Sequence, residues 1–587
     1  MTGRPPARGG NRPRARRRPL ANHAPRLRLS VFVIAVALTA LGLRLLWLQG
    51  VSSTAYASQA QGQRLTTIDT APTRGAILDR NGNVLAQDVD ARSIYVDPGL
   101  IKPANVEKEA ALLAPLVGVS QDVIRDKMTR SGRFVYIVRG LTPAQGNAVK
   151  DKQLPGVGVL TESRRVYPGG GLASNVVGFT DIDEKGIAGI ERSLNAILKG
   201  TAGKQTVEVD PDGNAIPGGV DKVLEAKPGL NVTLTLNEDI QFEAQKAIAA
   251  QVARLGAQSG SVIVLDPRTG QVLANATAPG YDPSNLATVN PANTGNPSVS
   301  DIYEPGSVNK VIVAAAALES GVLAPDSVIS IPPSLKVADA TFKDAEAHGP
   351  EDLTFTGVLA KSSNIGAIKI AQLLGNATVA KYLSLFGFGQ KSGIEVPGEA
   401  AGVLPDVNTW RPTTAATIPF GQGMDVTAIQ IAAAYGAVAN GGVYVAPRLV
   451  LSTTGADGKP VPQPAAPSHR VVSAQTAATL RTMLEQVTSD NGTAPMARIP
   501  GYRIAGKTGT AYAVGANGKY NGKYVSSFVG MAPADNPQLV VEVVINQTGT
   551  YGGTAAGPVF KDVMSFALKT LGIAPSSTPA PVLPLAP

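Results

Sequence analysis

The sequence predicts an α+β protein made of one membrane-spanning helix, a mixed α/β module and a larger domain whose helices lie between the first and last strands of a sheet. Three observations predict it. An unbroken apolar run fills Leu29 to Leu48. Short β-like runs then alternate with Gly, Pro and Asn turns up to about residue 230. Beyond that point a strand, a long amphipathic helix and a strand hairpin open a region that closes on a last strand pair, SSFVGMAPADNPQLVVEVVIN.

The apolar run, LSVFVIAVALTALGLRLLWL, has twenty residues and one charge. At about 1.5 Å per residue it matches the ~30 Å hydrocarbon core of a bilayer. Arg44, near its far end, can snorkel to the interface, and Trp47 suits the same boundary. Residues 1–28 hold nine Arg and no Asp or Glu. The positive-inside rule therefore expects them in the cytoplasm, an anchor over 29–49, and everything after about residue 50 outside. The rival reading is a cleaved signal peptide, with Ala55-Tyr56-Ala57 as the small-x-small site, but the apolar run exceeds the usual h-region of about 7–15 residues.

In residues 50–230, Arg74–Asn83 reads as a strand entering a turn and Ser93–Val96 as a second strand, while 104–128 and 187–198 have helical spacing. The Gly/Pro/Asp-rich stretch from Val209 to Asn231 marks a boundary. Within 231–573, NVTLTLNEDIQFEAQKAIAAQVARL is a strand followed by a helix, GSVIVLDPRTGQVLANATA a hairpin, and 311–318 and 365–374 are buried helices. The Pro-rich tail 574–587 is expected to be extended or disordered.

Composition excludes several chemistries. The net charge of +9 is carried by the first 28 residues, leaving the rest neutral, so there is no basic face for nucleic acid. Cysteine is absent, which removes disulfides, thiolate metal sites and thiol nucleophiles. The three histidines, His23, His348 and His469, are scattered through polar segments, so neither a His-metal cluster nor a Ser-His-Asp triad is expected. A serine enzyme with this composition needs another base.

Ser307 and Lys310 in Glu304-Pro305-Gly306-Ser307-Val308-Asn309-Lys310 supply one. Three residues apart at the head of a helix, they share a face, and a Lys whose pKa is lowered by burial can accept the Ser proton. Alone the pair is weak evidence, because a chain of this length holds about one or two S-x-x-K matches by chance. Lys361-Ser362-Ser363-Asn364 heads a second helix, where Ser362 can relay a proton and Asn364 hold a substrate amide. In Lys507-Thr508-Gly509-Thr510 the Lys offers charge and the Thr hydroxyls donors to a carboxylate, while Gly509 lets substrate approach a strand edge. Ser489-Asp490-Asn491 and Ser193-Leu194-Asn195 repeat the second pattern but fail on spacing and order.

In that order, S-x-x-K, S-x-N and K-T-G-T resemble the penicillin-recognising serine enzymes. Arg74–Gly82, Arg165-Val166-Tyr167-Pro168-Gly169-Gly170 and Gly189-Ile190-Glu191 resemble the pedestal motifs of class B penicillin-binding proteins; Phe420-Gly421-Gln422-Gly423 and Thr427-Ala428-Ile429-Gln430 resemble segments of their transpeptidase domain. Val311 departs from the Pro that many relatives carry after the motif Lys. The resemblance implies a pedestal or dimerisation domain over 50–230 and, over 231–573, a transpeptidase domain with an antiparallel sheet flanked by helices plus an all-α subdomain. It further implies that Ser307 attacks the penultimate D-alanyl carbonyl of a peptidoglycan stem peptide with Lys310 as base. Ser362 and Lys507 would carry the proton to the leaving D-alanine, the Ser307 and Thr510 N–H groups would form the oxyanion hole, and Thr508, Gly509 and Thr510 would bind substrate. No cofactor and no metal are implied. β-Lactams are expected to be trapped as slow acyl-enzymes, and a lipid-linked glycan polymerase and other division proteins are the expected partners in the membrane. The septal, cell-division type is the best match; an elongation-type enzyme, a D,D-carboxypeptidase, and a β-lactam sensor or idle division scaffold remain as alternatives.

Overall fold

In the computed structural model the described residues are 24–51, 64–209, 216–455, 457–515 and 517–587. The Arg-rich tail up to residue 23, the Ala55-Tyr56-Ala57 site and residues 210–215 of the expected boundary lie outside them. Chain contacts divide the molecule into two units, residues 1–70 with 203–225, and residues 71–202 with 226–587.

The first unit contains helix α1 (Ala24–Leu46). With its continuation to Gly50 it forms a 27-residue helix, long and apolar enough to cross a membrane, whose most apolar 18 residues have a mean hydropathy of 2.3. The unit also holds a three-stranded antiparallel sheet of Leu65–Thr70, Gly203–Glu208 and Asp221–Leu224. Part of the stretch read as a boundary is therefore a strand, paired with Lys204–Val207, a partner that no local turn signal reveals.

In the second unit the first sheet has seven strands. The long strand Val84–Val96 pairs with Val157–Val166 along its length and with Val135–Leu141 at its far end. Ile77–Leu78 links it to Asn231–Leu234, Val450–Thr454 and Pro460–Pro462, so the two sides of residue 230 share one sheet. The helical expectation over 104–128 resolves into Val106–Val117 and Gln121–Met128, split by Gly118 in the left-handed region (φ 67°).

A buried charge cluster ties this region together. Glu191 receives Arg74 Nε at 2.7 Å on one oxygen and Arg165 Nε at 2.7 Å on the other. Asp88 accepts from Arg165 Nη1 at 3.0 Å and from the Arg74 backbone N–H at 2.7 Å. The rejected decoy Asn195 accepts from Arg74 Nη1 at 2.8 Å, a structural role. Nearby, fully buried Asp79 accepts from the backbone N–H groups of Asn81, Asn83 and Glu238, closing the Arg80–Asn83 turn onto the start of the next helix.

That helix is α2 (Glu238–Leu255). The central sheet follows: β1 (Ser259–Leu265) and β2 (Val272–Ala278), then, after the helical region, β3 (Ala505–Val514), β4 (Tyr520–Ala532) and β5 (Leu539–Thr548), in the spatial order β2-β1-β5-β4-β3, all antiparallel. Strand alternation decides what each face meets. Gly260 of β1 faces α2, where a Cβ would meet Ile248 at 2.6 Å. Leu265, five residues on and so on the other face, lies against the wholly buried helix Ala428–Ala439. β3 forms one edge of the sheet, and its outer side is open to the helical region.

The helical region holds α3 (Lys310–Glu319), α4 (Phe355–Ala360) and α5 (Asn364–Leu374), matching the two buried helices expected there. Helix α6 (Gly552–Thr570) packs beside α2 on the sheet. The Pro-rich segment past residue 573, expected to be extended or disordered, is extended and docked along the body of this unit.

Replacing Glu191 with Ala strands two buried guanidinium groups. An unfolding experiment on the Glu191→Ala chain is expected to show a loss of about 3–5 kcal/mol, and an unchanged midpoint would refute the structural role of this cluster.

Candidate active site

Three chain segments converge on one hydroxyl. The first is the turn Gly306–Asn309, which runs directly into α3 and places half-buried Ser307 just before buried Lys310. Gly306 has a left-handed backbone (φ 59°), and a Cβ there would stand 3.0 Å from the Thr510 carbonyl. The turn is fixed by Gly306 N–H to the Gly421 carbonyl at 3.0 Å, Asn309 Nδ2 to the Ile418 carbonyl at 2.7 Å and Tyr435 OH to the Val308 carbonyl at 2.9 Å.

The second segment leaves the end of α4. Ser362 has a positive φ (61°), which costs a residue with a Cβ on the order of 1 kcal/mol and is held only where the surroundings fix it. Lys310 Nζ lies 2.5 Å from the Ser362 carbonyl, 3.2 Å from Ser362 Oγ and 2.8 Å from Asn364 Oδ1. Asn364 Nδ2 donates to the Lys343 carbonyl at 3.1 Å, so both ends of this amide are engaged within the protein.

The third segment is the edge strand β3. Lys507 Nζ donates to Ser362 Oγ at 2.8 Å and lies 3.3 Å from Thr508 Oγ1. Thr508 Oγ1 in turn meets Thr493 Oγ1 at 2.9 Å, and Thr510 Oγ1 accepts from the Gly552 N–H at 3.1 Å. A Cβ at Gly509 would meet Ser527 Oγ at 2.2 Å and the Pro305 carbonyl at 3.1 Å, so a side chain here would have to displace the Ser527 hydroxyl and crowd the turn before Ser307. The decoy Ser489-Asp490-Asn491 stands apart: Asp490 is exposed and pairs with Arg498.

Both lysines are almost completely withdrawn from water. Burial lowers Lys310 to about 7, opposed in part by the Asp344 carboxylate. Burial, and then the Lys310 charge, hold Lys507 well below the ordinary lysine range. Near neutral pH Lys310 can therefore be an amine. Its two hydrogens go to the Ser362 carbonyl and Asn364 Oδ1, leaving a lone pair for a hydroxyl proton.

Sequence reading missed Asp344. Its carboxylate accepts from Ser363 Oγ at 2.7 Å and from the backbone N–H groups of Asn364 and Ile365 at 2.5 and 3.0 Å, pinning the head of α5 and thereby Asn364. His348 Nε2 lies 3.2 Å from the same carboxylate. The Gly349 carbonyl and Asp344 hold the His348 ring above the ordinary histidine value, against burial. Nothing in the polar run KDAEAHG singles out either residue.

Comparison with known proteins places this arrangement. Residues 260–565 match the penicillin binding protein transpeptidase domain and residues 69–234 the penicillin-binding protein dimerisation domain. The chain is 37% identical to the penicillin-binding protein PbpB of Mycobacterium tuberculosis, over 94% of this chain and 86% of that one. It is 34% identical to the peptidoglycan D,D-transpeptidase FtsI of Escherichia coli, over 93% and 91%. The crystal structure of penicillin binding protein 3 from M. tuberculosis complexed with aztreonam superposes with a TM-score of 0.70 at 33% identity, covering 88% of this chain and all of that one.

A dimerisation domain followed by a transpeptidase domain defines the class B architecture. The chain belongs to the penicillin-binding protein transpeptidase family, alongside PbpB and FtsI.

Three outcomes depend on pH. Acylation by a penicillin is expected to rise through about pH 7 as Lys310 loses its proton, falling roughly tenfold per pH unit below that. In Asp344→Asn the neighbouring negative charge is gone, so the midpoint should move lower while the maximal rate falls; stopped-flow acylation across pH measures both. Folded Lys310 holds its proton less tightly than the unfolded chain does, so its contribution to stability rises with pH between about 7 and the ordinary value of 10.5.

Proposed function

We propose that this chain is a peptidoglycan D,D-transpeptidase that cross-links stem peptides through an acyl-enzyme on Ser307, acting in septal wall synthesis. The observation that carries the reading is the meeting of two buried lysines at Ser362 Oγ, one of them lowered to about 7. In the reaction Ser307 Oγ attacks the penultimate D-alanyl carbonyl as its proton passes to the Lys310 amine. The Ser307 and Thr510 N–H groups receive the developing oxyanion. Ser362 and Lys507 return the proton to the nitrogen of the departing D-alanine as the C–N bond breaks. An amine from a second stem peptide then attacks the ester, and Ser307 regains its proton.

Thr508, Gly509 and Thr510, on the open edge of β3, are assigned to the substrate's terminal carboxylate, with Lys507 as its countercharge. β-Lactams acylate the same serine; relatives of this fold have been crystallised with aztreonam and with ampicillin. The septal assignment rests on the likeness to PbpB and FtsI along nearly the whole chain. We assign 29–49 as a single-pass anchor, with the Arg-rich end in the cytoplasm, the pedestal (50–230) and transpeptidase domain (231–573) outside, and a lipid-linked glycan polymerase and other division proteins as neighbours in the membrane.

Intact-mass analysis after incubation with benzylpenicillin is expected to show one stable adduct, mapping to the peptide that contains Ser307, and none in Ser307→Ala. Retained labelling in that variant would move the nucleophile elsewhere. Lys310→Ala should fold yet acylate roughly 10²–10⁴-fold more slowly; near-normal acylation would displace it as base.

A further inference from the structure

The Pro-rich segment 576–587 lies far from Ser307 in sequence, yet its contacts lead to the second and third motifs. At one end the Arg503 backbone N–H donates to Ser576 Oγ at 3.0 Å and Arg503 Nη1 to Thr578 Oγ1 at 3.0 Å, two residues before β3 begins. Arg503 is itself clamped on Glu485, with Nη2 to Oε1 at 2.6 Å. Midway, Gln486 Nε2 donates to the Pro581 carbonyl at 2.7 Å. At the other end Thr354, the N-cap of α4, donates from its hydroxyl to the Pro584 carbonyl at 2.7 Å and from its backbone N–H to the Leu585 carbonyl at 3.0 Å.

Chemistry and periodicity agree with a docked strand. Between 581 and 585 every one of these bonds is accepted by a carbonyl of the segment from a donor on the body, the arrangement that a chain poor in N–H groups permits. Pro581, Leu583 and Leu585 are partly buried while Val582, Pro584 and Ala586 are exposed, the alternation of an extended strand on a surface. Pro also preorganises the extended conformation and so reduces the entropy lost on docking. Residues 576–582 line a cleft of about 820 Å³ together with Gln486, Met496, Tyr502 and Lys561, and Leu583 packs against the edge of the hydrophobic core.

The closest approach is at Gly357, in the first turn of α4. A Cβ there would stand 2.0 Å from the Leu585 carbonyl oxygen. Helix α4 has only six residues, and the Lys361, Ser362 and Ser363 N–H groups close on the carbonyls of Gly357, Leu359 and Val358. A shift of its first turn is therefore passed to Ser362, whose hydroxyl both lysines use.

We infer that residues 576–587 form a positioning strap that sets Ser362 against Lys310 and Lys507 by fixing the start of α4 and the approach to β3. The inference rests on the acyl-transfer reading of those residues. The strap touches no substrate; its effect is on the rate of acylation through the register of Ser362.

The test is a two-by-two comparison in the full chain, reconstituted in detergent, of acylation by benzylpenicillin: intact, ending at Ile573, Gly357→Ala, and both changes together. Removing the strap is expected to slow acylation about tenfold or more, since a misplacement of about 1 Å suffices for such losses. Gly357→Ala should slow the intact chain similarly, because the methyl expels Leu585, but cost nothing further in the shortened chain, where Ala only favours the helix. A synthetic peptide of residues 574–587 should restore the shortened chain's rate and leave the Gly357→Ala chain unchanged. Acylation of the shortened chain within twofold of the intact rate, or an equal Gly357→Ala penalty with and without the strap, would overturn the inference. If the shortened chain does not fold, intact Gly357→Ala decides: normal acylation, or undiminished hydrogen-exchange protection of the Thr354 N–H that donates to the Leu585 carbonyl, overturns it. An intact chain that takes no penicillin on Ser307 would instead overturn the transpeptidase reading.

Discussion

Two lysines withdrawn from water meet at a single hydroxyl, and the structure around residues 306–364 and 505–510 answers the need to hold them there. Each would be an ammonium ion in solution; with both almost fully buried, two positive charges at one oxygen are strongly disfavoured. The pair therefore titrates as a unit, and removal of one charge near neutral pH leaves an amine poised beside a serine. That state exists only if the groups cannot drift apart. Lys310 comes from α3, Ser362 from the end of α4 and Lys507 from β3, 145 residues further along the chain than Ser362. Each element is fixed by contacts that have no other evident use: the Gly421 carbonyl on Gly306, Asp344 on the head of α5, and the pressed Gly509 between Ser527 and Pro305.

Sequence alone reveals the chemistry where the chain is local and loses it where the chain is not. Ser307 and Lys310 lie in a turn that runs directly into α3, as their spacing predicts; Lys507 lies in the edge strand β3. The membrane-length helix, the β1–β2 hairpin and the β4–β5 pair were equally legible, because each is specified by periodicity over a dozen residues or more. Asp344 was not, since it is nineteen residues from the Ser363 hydroxyl it receives and lies in a polar run without period. The same holds for Gly357, where the reason for glycine is a backbone carbonyl at residue 585. The strand Asp221–Leu224 was hidden for a related reason, because its pairing partners at 204–207 lie across a turn-rich stretch. Asn364 was read as a holder of substrate, but its oxygen lies on Lys310, a partner 54 residues away.

The pedestal obeys a parallel constraint. Arg74, Asp88, Arg165 and Glu191 are all buried or nearly so, and an ion cluster out of water adds little net stability over apolar packing of the same volume. What it does show is that the four segments are joined by charge-assisted hydrogen bonds, so that loss of any one partner strands a buried charge. Through the adjacent Asp79 turn, they are tied to the first residue of α2. Helix α2 lies against β1 and β2, the opposite side of the sheet order from β3.

For the proposed base, lysine rather than histidine suits the acceptors around it. An imidazole has one lone pair and one N–H, and its ring needs a second partner to hold its orientation. A neutral amine has two hydrogens and a lone pair, and here the hydrogens have fixed acceptors in the Ser362 carbonyl and Asn364 Oδ1. Those two bonds orient the lone pair with no third residue behind it. The arrangement also limits the pKa: the acceptors and Asp344 favour the charged form while burial disfavours it, and the balance falls at about 7. A base much weaker would not take a serine proton; one much stronger would be protonated at the pH where it must act. His348, the histidine closest to this machinery in the hydrogen-bond network, stands behind Asp344 and can influence the base only through that carboxylate.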